Sequence, residues 1–294
     1  MNPPFEILTK VNLDDLVNAF GWKGKPALEG LLRFLFLKPA QQFAKQMLEF
    51  DSDIERKGLI SASRSAQRYY VKDVRVFHAD RIPDSAFLAL SNHPGMTDTL
   101  SLFCALKRDD LKIIALDRPF LTSLPNISKQ LFYVTDDPNK RVTLVRQVSG
   151  HLRSGQAALT FPAGHTEPDP DIYAGAVDSL QTWTDSVGVF VRLAPETAIL
   201  PVLVRNVIWD KAANHLLTKL KRTNDERELF AVALQLLSNL LSSKKYVIAK
   251  VQIGRPIYVK ELGTTDTQVI HQAVLTEMKS LIENPPIGEG VSVL

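Results

Sequence analysis

From residue 71 onward, short runs rich in β-branched and aromatic residues alternate with stretches of helical period, and this alternation limits the fold more than any other feature of the chain. The apolar runs fall at 74–77, 87–90, 113–116, 132–134, 157–161, 200–207 and 246–253. They have the length of strands, and several are apolar at successive positions, as strands covered on both faces are. Helical patterns lie between them, near 99–108, 139–153, 172–186, 225–243 and 266–283. Strands separated by helices are joined by crossovers, so the predicted fold is α/β, with a mixed, largely parallel sheet flanked by helices.

Residues 1–70 lack the alternation and read as an N-terminal helical segment, leaving 71–294 as the α/β domain. Lys25-Pro26 opens a helix that runs past Pro39 towards Ile54, and a polar link is expected near 61–65. The most apolar stretch, 31–37, contains Arg33 and stops at Lys38-Pro39, too short to span a bilayer. With Trp22, Lys23, Lys25, Phe34 and Phe36 it suits either a membrane interface or a helix packed on the main domain. Acidic residues at Glu6, Asp14 and Asp15 do not fit a signal or transit peptide, so the expectation is a cytoplasmic protein, peripherally associated with a membrane. The final helix, 266–283, reads as a packing element.

One cysteine, Cys104, in 294 residues excludes a disulfide framework, and no Cys/His spacing suits a metal. A net charge of +3 gives no reason to expect a nucleic-acid partner.

Asn92-His93-Pro94-Gly95-Met96-Thr97-Asp98 follows a predicted strand and precedes a predicted helix. Pro94 and Gly95 force a turn, so His93 belongs to a strand-end loop, where α/β folds keep their sites. A neutral imidazole can take a proton from an alcohol, and a carboxylate five positions on can orient it. The same spacing also fits Asp98 as a helix cap beside a bystander histidine, so spacing alone leaves both readings open. A second turn, Phe161-Pro162-Ala163-Gly164-His165-Thr166-Glu167, again leaves a strand. Its backbone N–H groups are candidates for an oxyanion or a phosphate, and His165 and Glu167 for a polar cluster over a substrate.

Together these motifs resemble the glycerophospholipid acyltransferase superfamily, of the lysophosphatidic-acid acyltransferase type. Asn92-His93 with Asp98 matches the first block, an Asn-His followed by four residues and Asp, and Phe161-Pro162 with Gly164 matches the frame of the third, Phe-Pro-Glu-Gly-Thr-Arg. Ile199-Leu200-Pro201-Val202 looks like the fourth block, and Ile253-Gly254-Arg255-Pro256-Ile257 like the Ile-Gly-x-Pro-Ile strand frequent near the end of the domain. The resemblance covers roughly 71–260 in the right order.

It implies that His93 is the general base and Asp98 its partner, and that an acceptor hydroxyl attacks the thioester of acyl-CoA or acyl-carrier protein directly, with no acyl-enzyme and no cofactor. Asn92, Phe161, Pro162, Gly164, His165, Thr166 and Glu167 would contact substrate, and Arg118 would reach an anionic head group or the phosphates of coenzyme A. Arg118 is equally suited to pair with Asp117 at the surface.

The departures concern the acceptor. Ala163 stands where the family has Glu, His165-Thr166 where it has Thr-Arg, and Asp137 where the second block carries Arg. A phosphate is best held by paired cationic donors, so an acceptor other than glycerol phosphate is expected. Phe-Pro-Ala-Gly variants resemble branches with other acceptors, the hemolysin-like and ornithine-lipid types. The basic run Lys211, Lys219, Lys221 and Arg222 suits anionic lipid or a solvated helix face, and Asp169 and Asp171 a solvated loop. Two further functions fit the same residues: a lipid ester or thioester hydrolase, and a non-catalytic lipid-binding peripheral membrane protein.

Overall fold

A computed structural model describes residues 3–95, 97–135, 137–242 and 244–294. Met1 and Asn2 of the expected N-terminal segment, Met96 of the first motif, Asp136 next to the second-block Asp137 and Ser243 at the end of the expected helix 225–243 lie outside the described residues. The chain divides into two units, a helical one of residues 1–72, 118–129 and 208–247, and one of residues 73–117, 130–207 and 248–294 that carries the sheet.

The sheet unit holds β1 (Asp73–Phe77), β2 (Phe87–Ser91), β3 (Lys112–Leu116), β4 (Leu131–Val134), β5 (Ala158–Thr160), β6 (Ala198–Arg205), β7 (Ile248–Ile253) and β8 (Val291–Ser292), in spatial order β4-β3-β5-β2-β6-β7-β1-β8. All neighbours are parallel except β6–β7 and β1–β8, so the α/β fold with a mixed, mostly parallel sheet is observed as expected. β2 and β6 are buried along their whole length, which explains their unbroken apolar sequence. Leu88, Leu90, Ile199 and Leu203 face a core shared with helices Pro138–Arg153, Ser186–Leu193 and Thr267–Glu283. Helix Asp98–Leu106 packs on β1, β6 and β7.

Pro201 inside β6 breaks no ladder. A strand residue points its N–H and C=O to the same side, and the Pro201 carbonyl accepts the N–H of Gly254, at 2.8 Å, where β7 has just ended. A Cβ on Gly254 would lie 2.8 Å from that oxygen, so two motifs distant in sequence are one close approach in space.

In the helical unit, helix Pro3–Phe20 folds back on helix Pro26–Lys57 through Gly21 and Gly24, both at positive φ. Leu16 and Ala19 of the first meet Ala233 and Leu237 of helix Asn224–Ser242. The Asp51 carboxylate receives the N–H groups of Asn126 and Ile127, tying 118–129 to the same unit.

Four expectations are corrected. Residues 61–65 are no link but lie within helix Leu59–Gln67, where Ala62, Ser63 and Ala66 are buried by close packing of small residues. The helix expected at 172–186 is a short helix Ala176–Ser179, a 3-10 turn Leu180–Thr182 and the start of helix Ser186–Leu193, because Trp183 leaves helical backbone to hydrogen-bond Glu167. Asp169 is buried rather than solvated, its carboxylate accepting the N–H groups of Asp171, Asn206 and Val207 just beyond β6, while Asp171 pairs with the buried Arg205 and with Lys250. Lys221 turns inward to donate to the Ala19 and Phe20 carbonyls at the end of helix Pro3–Phe20, where a cation complements the helix dipole.

Candidate active site

The strands β5, β2 and β6 run parallel with Leu90 level with Thr160 and Pro201, so their C-terminal ends open on one edge of the sheet. That register brings Asn92-His93 and Phe161 together from separate stretches of chain, at the edge where open α/β sheets bind ligands.

β2 ends at Ser91, and the next rung is made by a side chain. The Asn92 amide donates to the Val204 carbonyl and accepts the Val204 N–H, both at 2.8 Å, imitating a strand residue. Asn92, expected to touch substrate, is therefore a buried anchor with both amide groups engaged. His93 follows directly.

His93 Nδ1 lies 2.7 Å from Asp98 Oδ2. Asp98 is fully buried at the start of its helix, and its Oδ2 also accepts the Gly95 N–H at 3.0 Å while Oδ1 accepts the Thr99 N–H at 2.5 Å. These donors fix the carboxylate, so Asp98 is both helix starter and histidine partner: the two readings of the spacing hold at once. With Nδ1–H directed at Asp98, the basic lone pair is on Nε2. The His93 side chain is 33% exposed against 0% for Asp98, so the base meets solvent and its partner does not. The Phe161 ring packs on the imidazole, centroids 4.7 Å apart and planes 31° apart.

The third-block turn closes by the Gly164 N–H donating to the Phe161 carbonyl at 3.0 Å. Gly164 has φ +71°, and a Cβ there would meet nothing within 4 Å, so the backbone conformation and not crowding requires glycine. Pro162 is buried and accepts the Thr184 N–H. Ala163 packs partly into the apolar core, so the turn presents no carboxylate at the family's glutamate position. His165 and Thr166 are exposed, with the imidazole Nδ1–H donating to the Thr166 carbonyl.

Glu167 does not join His165 over a substrate; it points inward. Its Oε2 accepts the His93 N–H at 3.1 Å, and its Oε1 accepts Trp183 Nε1–H at 2.7 Å and Ser179 Oγ–H at 3.0 Å. Its own N–H donates to the His93 carbonyl at 2.9 Å. Burial pushes the carboxyl above its ordinary range, against the donors from Trp183, Ser179 and His93 that pull it down. Sequence reasoning found Glu167 as a titratable residue but missed this bonding and the part of Trp183 and Ser179, for which no local pattern gave a signal.

Of the backbone N–H groups considered for an oxyanion, those of His93, Gly95 and Gly164 are already bonded. Among the described residues, the N–H groups of Ala163, His165 and Thr166 have no acceptor in the protein. Arg118 belongs to the helical unit, where it is exposed, precedes helix Pro119–Thr122 and acts electrostatically on Asp15. Asp137 is exposed, and Arg141 donates to the Thr135 carbonyl beyond β4. Among the described residues, no group of three or more His, Cys, Asp and Glu could hold a metal ion.

No family model matches the chain. No curated protein matches it either. Among solved structures, the 1-acyl-sn-glycerophosphate (LPA) acyltransferase PlsC from Thermotoga maritima is similar over 96% of this chain and 94% of its own, with a TM-score of 0.45 and 15% identity. A likeness of that degree carries no argument about chemistry, which rests on the arrangement around His93.

Proposed function

We propose that this chain is an acyltransferase that moves a fatty acyl group from acyl-CoA or acyl-carrier protein to a hydroxyl of a lysolipid or glycerolipid-like acceptor. The observation that carries the reading is the 2.7 Å contact between His93 and the buried Asp98, beside the turn at Phe161.

The acceptor hydroxyl gives its proton to His93 Nε2 as its oxygen attacks the thioester carbonyl, and Asp98 stabilises the imidazolium that forms. The tetrahedral oxyanion is held by N–H groups of the turn that includes Ala163, His165 and Thr166, the ones without an internal acceptor. Collapse breaks the C–S bond, the imidazolium returns its proton to the departing thiolate, and ester and thiol leave. No protein nucleophile takes part. An acceptor unlike glycerol phosphate fits the uncharged Ala163 and the aspartate at 137.

A lipid acceptor calls for access to a membrane surface, and the helical unit has features that suit one. Among the described residues, no helix is long and apolar enough to cross a membrane. Leu31, Phe34 and Leu35 are exposed, Phe34 at 79%, and so are Leu216, Leu217 and Leu220, near the exposed cations Lys211, Lys219 and Arg222. Apolar side chains flanked by cations suit an anionic lipid interface, consistent with peripheral association at a cytoplasmic membrane face.

The test is thiol release from palmitoyl-CoA over a panel of lysolipid acceptors, for the wild type and His93→Ala. Acceptor-dependent ester formation that falls about 10²- to 10⁴-fold in a folded variant is expected. Free fatty acid formed at a rate indifferent to acceptor would replace transfer by hydrolysis, and vesicle binding with no turnover would replace it by a lipid-binding role.

A further inference from the structure

We propose that Glu167 is a positioning residue for His93, setting the backbone of the base while Asp98 sets its ring; this rests on the acyl-transfer reading above. Glu167 is 1% exposed, out of reach of a substrate. Its carboxylate gathers three donors from separate segments: the main chain of His93, Ser179 on a short helix, and Trp183 just after a 3-10 turn. Filling the same space with an apolar side chain would strand all three. A brace of the turn alone would account for Ser179 and Trp183.

The other half of the arrangement is particular to the base. The His93 N–H donates to the Glu167 side chain and the His93 carbonyl accepts the Glu167 N–H, so Glu167 holds both polar groups of that residue's main chain. The imidazole is held by Asp98 on its edge and Phe161 on its face. Rotation of His93 as a unit is then opposed at its N–H, its carbonyl and Nδ1, while Nε2 is the atom that moves the proton. Because the same residue sits three positions beyond Gly164, the brace also fixes the N–H groups of the turn relative to the base. Near-attack geometry tolerates little displacement, so loss of the brace acts on turnover rather than on substrate affinity.

The experiment uses the full chain with Glu167→Gln and Trp183→Phe, and two readouts: kcat and KM with palmitoyl-CoA and the best acceptor of the panel, and hydrogen exchange of the His93 amide. The glutamine amide sets a donor against either the His93 N–H or the Trp183 and Ser179 donors. Expected are a kcat about 10- to 100-fold lower with KM within about twofold, and faster exchange at His93. Trp183→Phe keeps the carboxylate and shows a smaller loss in the same direction, and it decides the matter if Glu167→Gln does not fold. Unchanged kcat per folded molecule, or unchanged exchange at His93, overturns the proposal. Retained turnover in His93→Ala sinks the acyl-transfer reading instead, and exchange at His93 still decides whether Glu167 holds that backbone.

Discussion

The side chain of Asn92 and the main chain of Val204 exchange two hydrogen bonds of 2.8 Å each, extending the β2–β6 ladder one level past the end of β2. The residue after that rung is His93. Its exit from the sheet is therefore fixed by a side chain acting as backbone, a role distinct from the substrate contact that the Asn-His motif suggests.

Removing that rung exposes its weight. Asn92→Ala leaves a buried N–H and a buried C=O of Val204 without partners and is expected to lower unfolding free energy by about 2–4 kcal/mol in urea titrations. A loss below about 0.5 kcal/mol would mean that water replaces the amide.

Asp98→Asn tests the orientation of the base. The asparagine NH2 either takes the place of Oδ2, where it can accept from neither His93 Nδ1–H nor the Gly95 N–H, or takes the place of Oδ1, where it opposes the Thr99 N–H; in both cases the hold on the imidazole is weakened. Acyl transfer is expected to fall about 10²- to 10⁴-fold in steady-state assays. A variant with normal kcat would leave Asp98 as a helix starter only.

Asp169→Ala should destabilise the edge beyond β6 more than most surface changes. It strands the N–H groups of Asp171, Asn206 and Val207, and thermal melting should show a loss of about 3 kcal/mol or more. Melting within a degree of the wild type would show that the loop re-forms its bonds without the carboxylate.

Glu167 gives a pH dependence of definite sign. Its carboxyl is raised above the ordinary 4.5, chiefly by burial, so the folded protein holds this proton more tightly than the unfolded chain. Its contribution to stability is complete below that ordinary value and is lost as pH rises through the folded one. The stability of the wild type relative to Glu167→Gln, which cannot titrate, should therefore decline with rising pH across this window. A difference that is flat, or that grows with pH, in urea unfolding on both sides of the window would contradict the assignment.

Association with lipid can be measured apart from catalysis. Serine at Leu216, Leu217 and Leu220 removes three exposed apolar side chains and should weaken binding to vesicles containing phosphatidylglycerol by about tenfold or more. Binding by the wild type should also weaken with added salt, because the flanking cations are screened. Equal retention of both proteins would assign these leucines another role.

Sequence by itself determined the fold class, because buried parallel strands and amphipathic helices leave periodic traces at the positions that form them. It also marked His93, Asp98 and Phe161, since a turn after a strand needs particular residues whatever the rest of the chain does, whereas Pro201 and Gly254 stood out only by their resemblance to acyltransferase motifs. Tertiary structure alone decided what the polar residues are for. Asn92 and Glu167, which read as substrate contacts, are buried braces; Asp169, which reads as solvated, holds the end of β6; and Lys221 caps a helix whose last residue is 201 positions away. A hydrogen bond between distant segments depends on which strand ends the sheet brings level, and the chain between His93 and Glu167, 74 positions apart, carries no local record of that meeting.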